Sequence, residues 1–399
     1  MAQAKSWAAF DVHVSGVIAA TLERDSGELR VQRLFGRGEE VAAFAAGLPG
    51  PVRATYEAGP TGFVLARRLE AIGVDCLVCA PGLIPRGPSD RVKTDRRDAE
   101  RLVRLLAAGE LHRVAVPSVE AEALRDLVRA REDLRGDLMR ARHRLAKLLL
   151  RHEIRFDGPE RNWTQAHLGW LAGVTLAQPA SQRALEDYRG AVSALMIRRE
   201  QLEAEIARAL PGSPWAQTAR RLMCLRGIDT LTAAGLCAEI GDFARFRHPA
   251  QVLSYLGVVP AEHSSGERRR RGPITKSGSQ HARRLLVEAA WHYRRPPRVA
   301  GSLARRQTNG EPEVIALSWK GATTAASRVE PDGATPQAPH HHRGRRRARA
   351  RRLLLGGRHH RLTPPAPCWS SGTAAPGPSR QSIRDTAMGN RPAAGDARP

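Results

Sequence analysis

The sequence predicts an α/β domain on a mixed sheet. A long α-helical hairpin or coiled coil, a small mostly α C-terminal domain and a disordered tail follow it. Three observations point there. Apolar runs of strand length alternate with helical periodicities over residues 5–110. Leucines recur at three- and four-residue spacing amid Arg, Glu and Asp over 117–155, and apolar residues do so again over 181–210. From Gly321 onward Pro, Ala, Gly, His and Arg dominate, and no helical period survives.

In the first domain the expected strands are 6–12, 15–23, 28–35, 51–57 and 74–79, and the expected helices 38–47, 61–72 and 90–108. Three hairpin-like strands come first and strands alternating with helices come after, which suggests a mixed sheet covered by helices. The first strand carries an acid, Asp11, at the end of an apolar run, and the fourth carries another, Glu57. Asp95 and Asp98 follow in Val92-Lys93-Thr94-Asp95-Arg96-Arg97-Asp98-Ala99, and three-residue spacing puts both on one helix face. This placement of acids fits an RNase H-like sheet. Clustered carboxylates repel unless a cation neutralises them, and a hard divalent ion such as Mg²⁺ takes oxygen ligands. Two such ions can clamp the attacking and leaving oxygens of a phosphodiester displacement. The competing reading is that these acids are simply solvated.

A net charge of +24 exceeds what solubility needs and points to a polyanion partner, most simply nucleic acid. Aromatics are only 5%, so phosphate contacts from Arg are expected rather than a base-stacking platform. Five cysteines show no framework spacing; Cys76-Leu77-Val78-Cys79 reads as buried thiols, with a zinc pair as the alternative. A reducing cytoplasm fits. Residues 1–15 lack the apolar core of a signal peptide, and no stretch reaches about 18 apolar residues, so no membrane span is expected.

Residues 111–212 form the helical region, with 156–180 expected as a connector or tip; its apolar stripe serves an intramolecular bundle or a dimer seam. Residues 213–320 form the C-terminal domain. There, Leu222 to Ala234 reads as helix, tight turn, helix, with Gly227 allowing the turn and Asp229 tolerating a left-handed backbone. This is a helix-hairpin-helix-like segment, whose turn amides can bind a DNA phosphate, or an ordinary αα-corner. The polar loop His263-Ser264-Ser265-Gly266-Glu267 is surrounded by Arg268, Arg269, Arg270, Arg271, Lys276, Arg283 and Arg284. It reads as a phosphate-binding turn, or as a nucleophilic serine held where arginines neutralise the phosphate under attack.

These motifs together resemble the DEDD transposases of bacterial insertion sequences, the IS-one-ten family, over about residues 6–320. The carriers are Phe10-Asp11-Val12, Tyr56 to Gly62, Lys93 to Ala99, Gly227-Ile228-Asp229, Tyr255 to Pro260, Ser264-Ser265-Gly266 and Ile274 to Gly278. The resemblance implies a RuvC-like domain (5–110) with Asp11, Glu57, Asp95 and Asp98 as Mg²⁺ ligands. It implies a C-terminal transposase domain whose nucleophile maps to Ser265; the basic loop and the tight turn place Arg268–Arg271, Lys276 and Gly227 on the nucleic acid. It further implies DNA cutting and rejoining at insertion-sequence ends and targets, homodimers or tetramers, and in some members a guide non-coding RNA. The expected setting is the bacterial cytoplasm, at the nucleoid. Asp229 and Ser279 depart from the family's usual residues. A Holliday-junction-type endonuclease using the acids alone is the rival enzyme, and an inactive nucleic-acid-binding remnant the rival non-enzyme.

The tail holds fifteen Lys and Arg against four acids over 320–399, so the body is basic without it. Permitted GC-rich codons read one base later turn His340–Arg358 into an apolar helix-forming segment. A one-base insertion near codon 321 is therefore expected, with exposed apolar surface near Leu285, Leu286 and Val287 where a lost helix would dock. A genuine basic, disordered tail is the alternative.

Overall fold

The computed structural model describes residues 4–35, 38–85, 94–159, 162–266 and 270–327. Five strands form the first sheet: β1 (Ser6–His13), β2 (Gly16–Glu23), β3 (Leu29–Leu34), β4 (Val52–Glu57) and β5 (Asp75–Cys79). Their order is β3-β2-β1-β4-β5, with β1, β2 and β3 antiparallel and β1, β4 and β5 parallel. Helices α1 (Gly38–Ala46) and α2 (Val64–Ala71) cover one face; Val41, Ala45, Leu65 and Leu69 pack there on Phe10, Tyr56 and Val78. Helix α3 (Asp95–Ala108) covers the other, where Leu102, Val103 and Leu106 meet Ala9, Ala20 and Leu77. Residues of odd number on β1 therefore face α3 and residues of even number face α1 and α2, as strand pleating requires. The CxxC obeys the same rule: Cys76 lies in one core and Cys79 in the other, on opposite faces of the sheet, so the pair cannot share a zinc ion. Burial pushes both thiols up, to about 12 and about 11.

The long patterns form α4 (Val119–Arg151) and α6 (Pro179–Ala209). Ser118 caps α4, its hydroxyl accepting from the Ala121 amide at 3.2 Å. Leu185 and Val192 of α6 pack on Leu138, Leu145 and Leu149, whereas Ile206 packs near Leu124 and Val128. The two helices are thus an antiparallel hairpin within one chain, about 50 Å long, and α6 covers the apolar stripe of α4. The Arg131–Glu203 ion pair crosses it. The expected connector 156–180 contains a further helix, α5 (Gln165–Gly173). Two glycines weaken its propensity, and packing forms it instead: Leu171 is buried, and His167 sits among Phe156, Trp163 and Trp170 at 5.1–5.4 Å between ring centroids.

The C-terminal unit comprises α7 (Ala216–Met223), α8 (Thr230–Ile240), α9 (Pro249–Tyr255), β6 (Pro260–Glu262), β7 (Arg271–Ile274), α10 (Gln280–Trp291), α11 (Gly301–Gln307) and α12 (Pro312–Ser327). One core joins Leu124 and Val128 of α4, Ile206 of α6, Leu236 of α8 and Leu285 of α10. Ion pairs dock α4 on this unit: Glu132 meets Arg284 at 2.6 Å and His281 at 3.5 Å, and Glu239 meets Arg129 at 3.4 Å.

Three expectations are corrected here, and one element is new. The β6–β7 hairpin was not foreseen. Asp229 is not left-handed; at φ −98 it is extended and caps α8. Leu285 and Leu286 are 7% and 8% exposed, inside the core, rather than bare as expected, while Val287 is partly buried. Helix α12 runs on through Ser327, into the segment assigned to the tail. Residues 328–399, on which the disorder of the tail was expected, lie outside the described residues.

Candidate active site

Strands β1 and β4 are parallel neighbours with Phe10 opposite Tyr56. The next step along each strand is Asp11 and Glu57, so these acids take neighbouring positions, at the end of β4 and two residues before the end of β1. Both point to the α3 face, because Phe10 and Tyr56 point to the opposite one. Helix α3 begins over that face. Thr94 is its N-cap, with extended φ −139, and its hydroxyl accepts from the Arg97 amide at 3.3 Å. Asp95 and Asp98 fall in the first turn, where the helix dipole favours negative charge. Asp98 is buried and accepts from Arg101 at 2.6 Å; Asp95 is 61% exposed.

The parts meet around Asp11, whose side chain is 19% exposed. Burial pushes its carboxyl above the ordinary aspartate range; His13 opposes that shift, while Asp95 and Asp98 reinforce it with their charge. Glu57 lies beside Cys79 on β5 and adds its charge there. His13 was missed in the sequence. It lies two residues beyond Asp11, hence on the same strand face. Its Nε2 is 3.2 Å from Asp11 Oδ2 and 3.7 Å from Asp95 Oδ1. One ligand atom from each of Asp11, His13 and Asp95 lies within 4.8 Å of the others. A donor set of carboxylates that repel one another, half sheltered from water, suits a divalent cation.

Ser265 lies elsewhere, in the β6–β7 loop, and is exposed. The hairpin is held at its base by the His263 amide donating to Arg270 O at 2.9 Å. Ser264 donates to Glu262 at 3.0 Å, and Arg271 lies 3.7 Å from the same carboxylate. Arg268 and Arg269 lie outside the described residues. Lys276 is exposed at φ +57, a strained conformation for a residue with a side chain. It is held there by two glycines. A Cβ on Gly257 would sit 2.2 Å from the Ser277 amide, and one on Gly278 2.1 Å from Tyr255 O. The Lys276 amide donates to Gly257 O at 3.0 Å, and Arg283 donates to Leu256 O at 3.1 Å. The motifs Tyr255 to Pro260 and Ile274 to Gly278 are therefore one interlocked backbone unit.

Gly227 is left-handed, φ +82, and a Cβ there would lie 2.5 Å from Ala289 O, so the turn is packed on α10. Asp229 Oδ1 accepts from the Thr232 amide at 2.8 Å. That carboxylate caps the α8 N-terminus. No helix among the described residues is long and apolar enough to cross a membrane.

The chain is similar to known transposases. A family model described as Transposase IS116/IS110/IS902 family matches residues 219–303, and a second, the DEDD transposase model of IS110, matches 39–153. The second covers Glu57, Asp95 and Asp98 and begins after Asp11. A Sinorhizobium fredii protein named as a transposase, y4qE, is 42% identical over 68% of this chain and 66% of its own length. The transposase for insertion sequence element IS1533 of Leptospira borgpetersenii is 32% identical over 79% of this chain and 93% of its own. That for element IS1328 of Yersinia enterocolitica is 26% identical over 57% and 67%. Related over nearly the whole length of one insertion-sequence transposase, and matched by two family models in order, the chain belongs to the IS116/IS110/IS902 family of transposases.

Proposed function

We propose that the chain cuts and rejoins DNA at the ends of an insertion sequence, with Asp11, Glu57, Asp95 and Asp98 holding Mg²⁺ and Ser265 as nucleophile. The observation that supports the metal reading is that Asp11, His13 and Asp95 each bring one ligand atom within 4.8 Å of the others, with Glu57 next along the neighbouring strand and Asp98 in the same helical turn as Asp95. Bound divalent ions would supply charge stabilisation to the attacking and leaving oxygens of the phosphodiester. The residues do the rest. Asp11 and Glu57 fix the site to the sheet, and the first turn of α3 closes it from above. Arg101 holds Asp98 in place through its Oδ1.

Ser265 Oγ would attack phosphorus, form a phosphoserine ester and release one strand end as a hydroxyl. A second strand's hydroxyl would then take the phosphate and free the serine. Exposure of Ser265 at the tip of a basic hairpin supports this, as does the strained, exposed Lys276 nearby in sequence. Arg268–Arg271 and Lys276 bind phosphates in this reading, while Gly227 shapes the turn beside α10. A homodimer or tetramer, and a guide non-coding RNA, would bring serine and acids together on one DNA.

The test is a strand-exchange assay on DNA carrying the element's ends, in Mg²⁺, with RNA transcribed from its flank. Wild type should give recombinant strands and a protein–DNA adduct on denaturing gels. Asp98→Asn should give neither, and Ser265→Ala should bind DNA without forming the adduct. Cleavage without adduct or exchange would turn the assignment to a junction endonuclease.

A further inference from the structure

The geometry points to His13 Nε2 as a ligand, beside Asp11 and Asp95, of one cation in the acid cluster, and so to a site that holds Mn²⁺ more tightly than Mg²⁺. The inference rests on the metal reading above and deepens it. His13 is the last residue of β1 and pairs with Gly16 across the β1–β2 turn. The turn closes there because Gly16 takes φ +154, which side chains rarely adopt. Val14 at its tip points fully into solvent, whereas His13 keeps the Asp11 side of the strand.

The imidazole therefore bridges an acid of the sheet and an acid of α3, 3.2 Å from one and 3.7 Å from the other. Three ligand atoms within 4.8 Å of one another can surround a single ion at bond lengths of about 2.0–2.2 Å after small side-chain rotations. The His13 side chain is 49% exposed, which leaves room for that movement. Oxygen-only sets suit Mg²⁺, which is hard and reluctant to shed water. An imidazole nitrogen shifts preference toward later, softer divalent ions, Mn²⁺ being the first of that series. Among the described residues, no other His, Cys, Asp or Glu joins Asp11, His13 and Asp95 in this group.

The experiment uses the full chain without DNA and reads bound Mn²⁺ by pulsed electron paramagnetic resonance, with Mn²⁺ and Mg²⁺ affinities by calorimetry. Wild type should show nitrogen coupled to the bound Mn²⁺. His13→Ala and His13→Asn, each checked for a native circular dichroism spectrum, should lose that coupling. They should bind Mn²⁺ about tenfold more weakly while Mg²⁺ affinity changes less than about threefold. Asp11→Asn should weaken both ions. If Asp11→Asn weakens both but the His13 variants keep the coupling and the affinity, the metal site stands and His13 is not its ligand. Tighter binding in the His13 variants would also overturn the assignment, since the imidazole would then be competing with the metal. If Asp11→Asn changes nothing, the metal reading itself fails.

Discussion

Replacing Asp11 by Asn should make the metal-free protein more stable and the metal-bound protein less so. The side chain is mostly sheltered, and a ligand oxygen of Asp95 lies within 4.8 Å of one of Asp11. Two unit charges at that distance repel by roughly 3.5 kcal/mol at an effective dielectric of 20 and by under 1 kcal/mol in bulk water. Asp95 is 61% exposed, which places the repulsion near the lower figure, and losing the attraction to His13 offsets part of the gain. The expected net effect is about 0.5–1 kcal/mol in favour of Asp11→Asn, a rise in Tm of about 1–4 °C for a unit of this size. Saturating metal reverses the order, because a ligand at a hundred times its Kd stabilises the folded state by about 2.7 kcal/mol. Thermal unfolding of both proteins in EDTA and then in Mg²⁺ reads the crossover. A variant that is less stable in EDTA by more than about 1 kcal/mol, yet shifts with Mg²⁺ as wild type does, would refute the reasoning.

Three further outcomes follow from the same structure. Gly278→Ala, forced to φ +67 with its Cβ 2.1 Å from a backbone oxygen, should destabilise the C-terminal unit by about 3 kcal/mol or more, read as faster proteolysis within 219–303. Burial would raise the Glu239 carboxyl, but His281, Ser279 and Arg129 hold it down to about 2. Since the unfolded value is 4.5, this stabilisation is complete above about pH 4.5 and is lost as pH falls toward 2. Glu239→Gln should therefore flatten the acid limb of a Tm-against-pH profile, and an unchanged limb would remove Glu239 from the account. Deleting 328–399 removes fourteen Lys and Arg with four acids, leaving a basic body and all of α12. DNA affinity should weaken and fall less steeply with salt, but persist; complete loss would mean that the tail carries the binding.

The nearness of Asp11 to Asp95 was legible because it obeys two simple periods. Acids at neighbouring positions on parallel strands share a face, and a three-residue spacing keeps Asp95 and Asp98 together on α3. The same period of two places His13 on the Asp11 face, but a lone imidazole carries no carboxylate pattern to mark it. The β6–β7 hairpin hid because its strands span three and four residues and contain Pro260, Gly272 and Pro273, all poor strand formers. The short α5 hid because tertiary aromatic packing, not propensity, creates it. Asp229 was misjudged because one residue type serves both left-handed turns and helix caps, and the neighbouring Gly227 had already supplied the positive φ. The interlock of Gly257 and Gly278 joins segments about twenty residues apart, a contact that no local pattern encodes.

The central claim, that the acids on the α3 face form one metal site, is met most directly by anomalous diffraction from crystals soaked in Mn²⁺. The account predicts a peak bounded by Asp11, Asp95, Asp98 and Glu57, absent from crystals of Asp11→Asn. A Mn²⁺ peak elsewhere on the protein, or no peak in this cluster at saturating Mn²⁺, would contradict it.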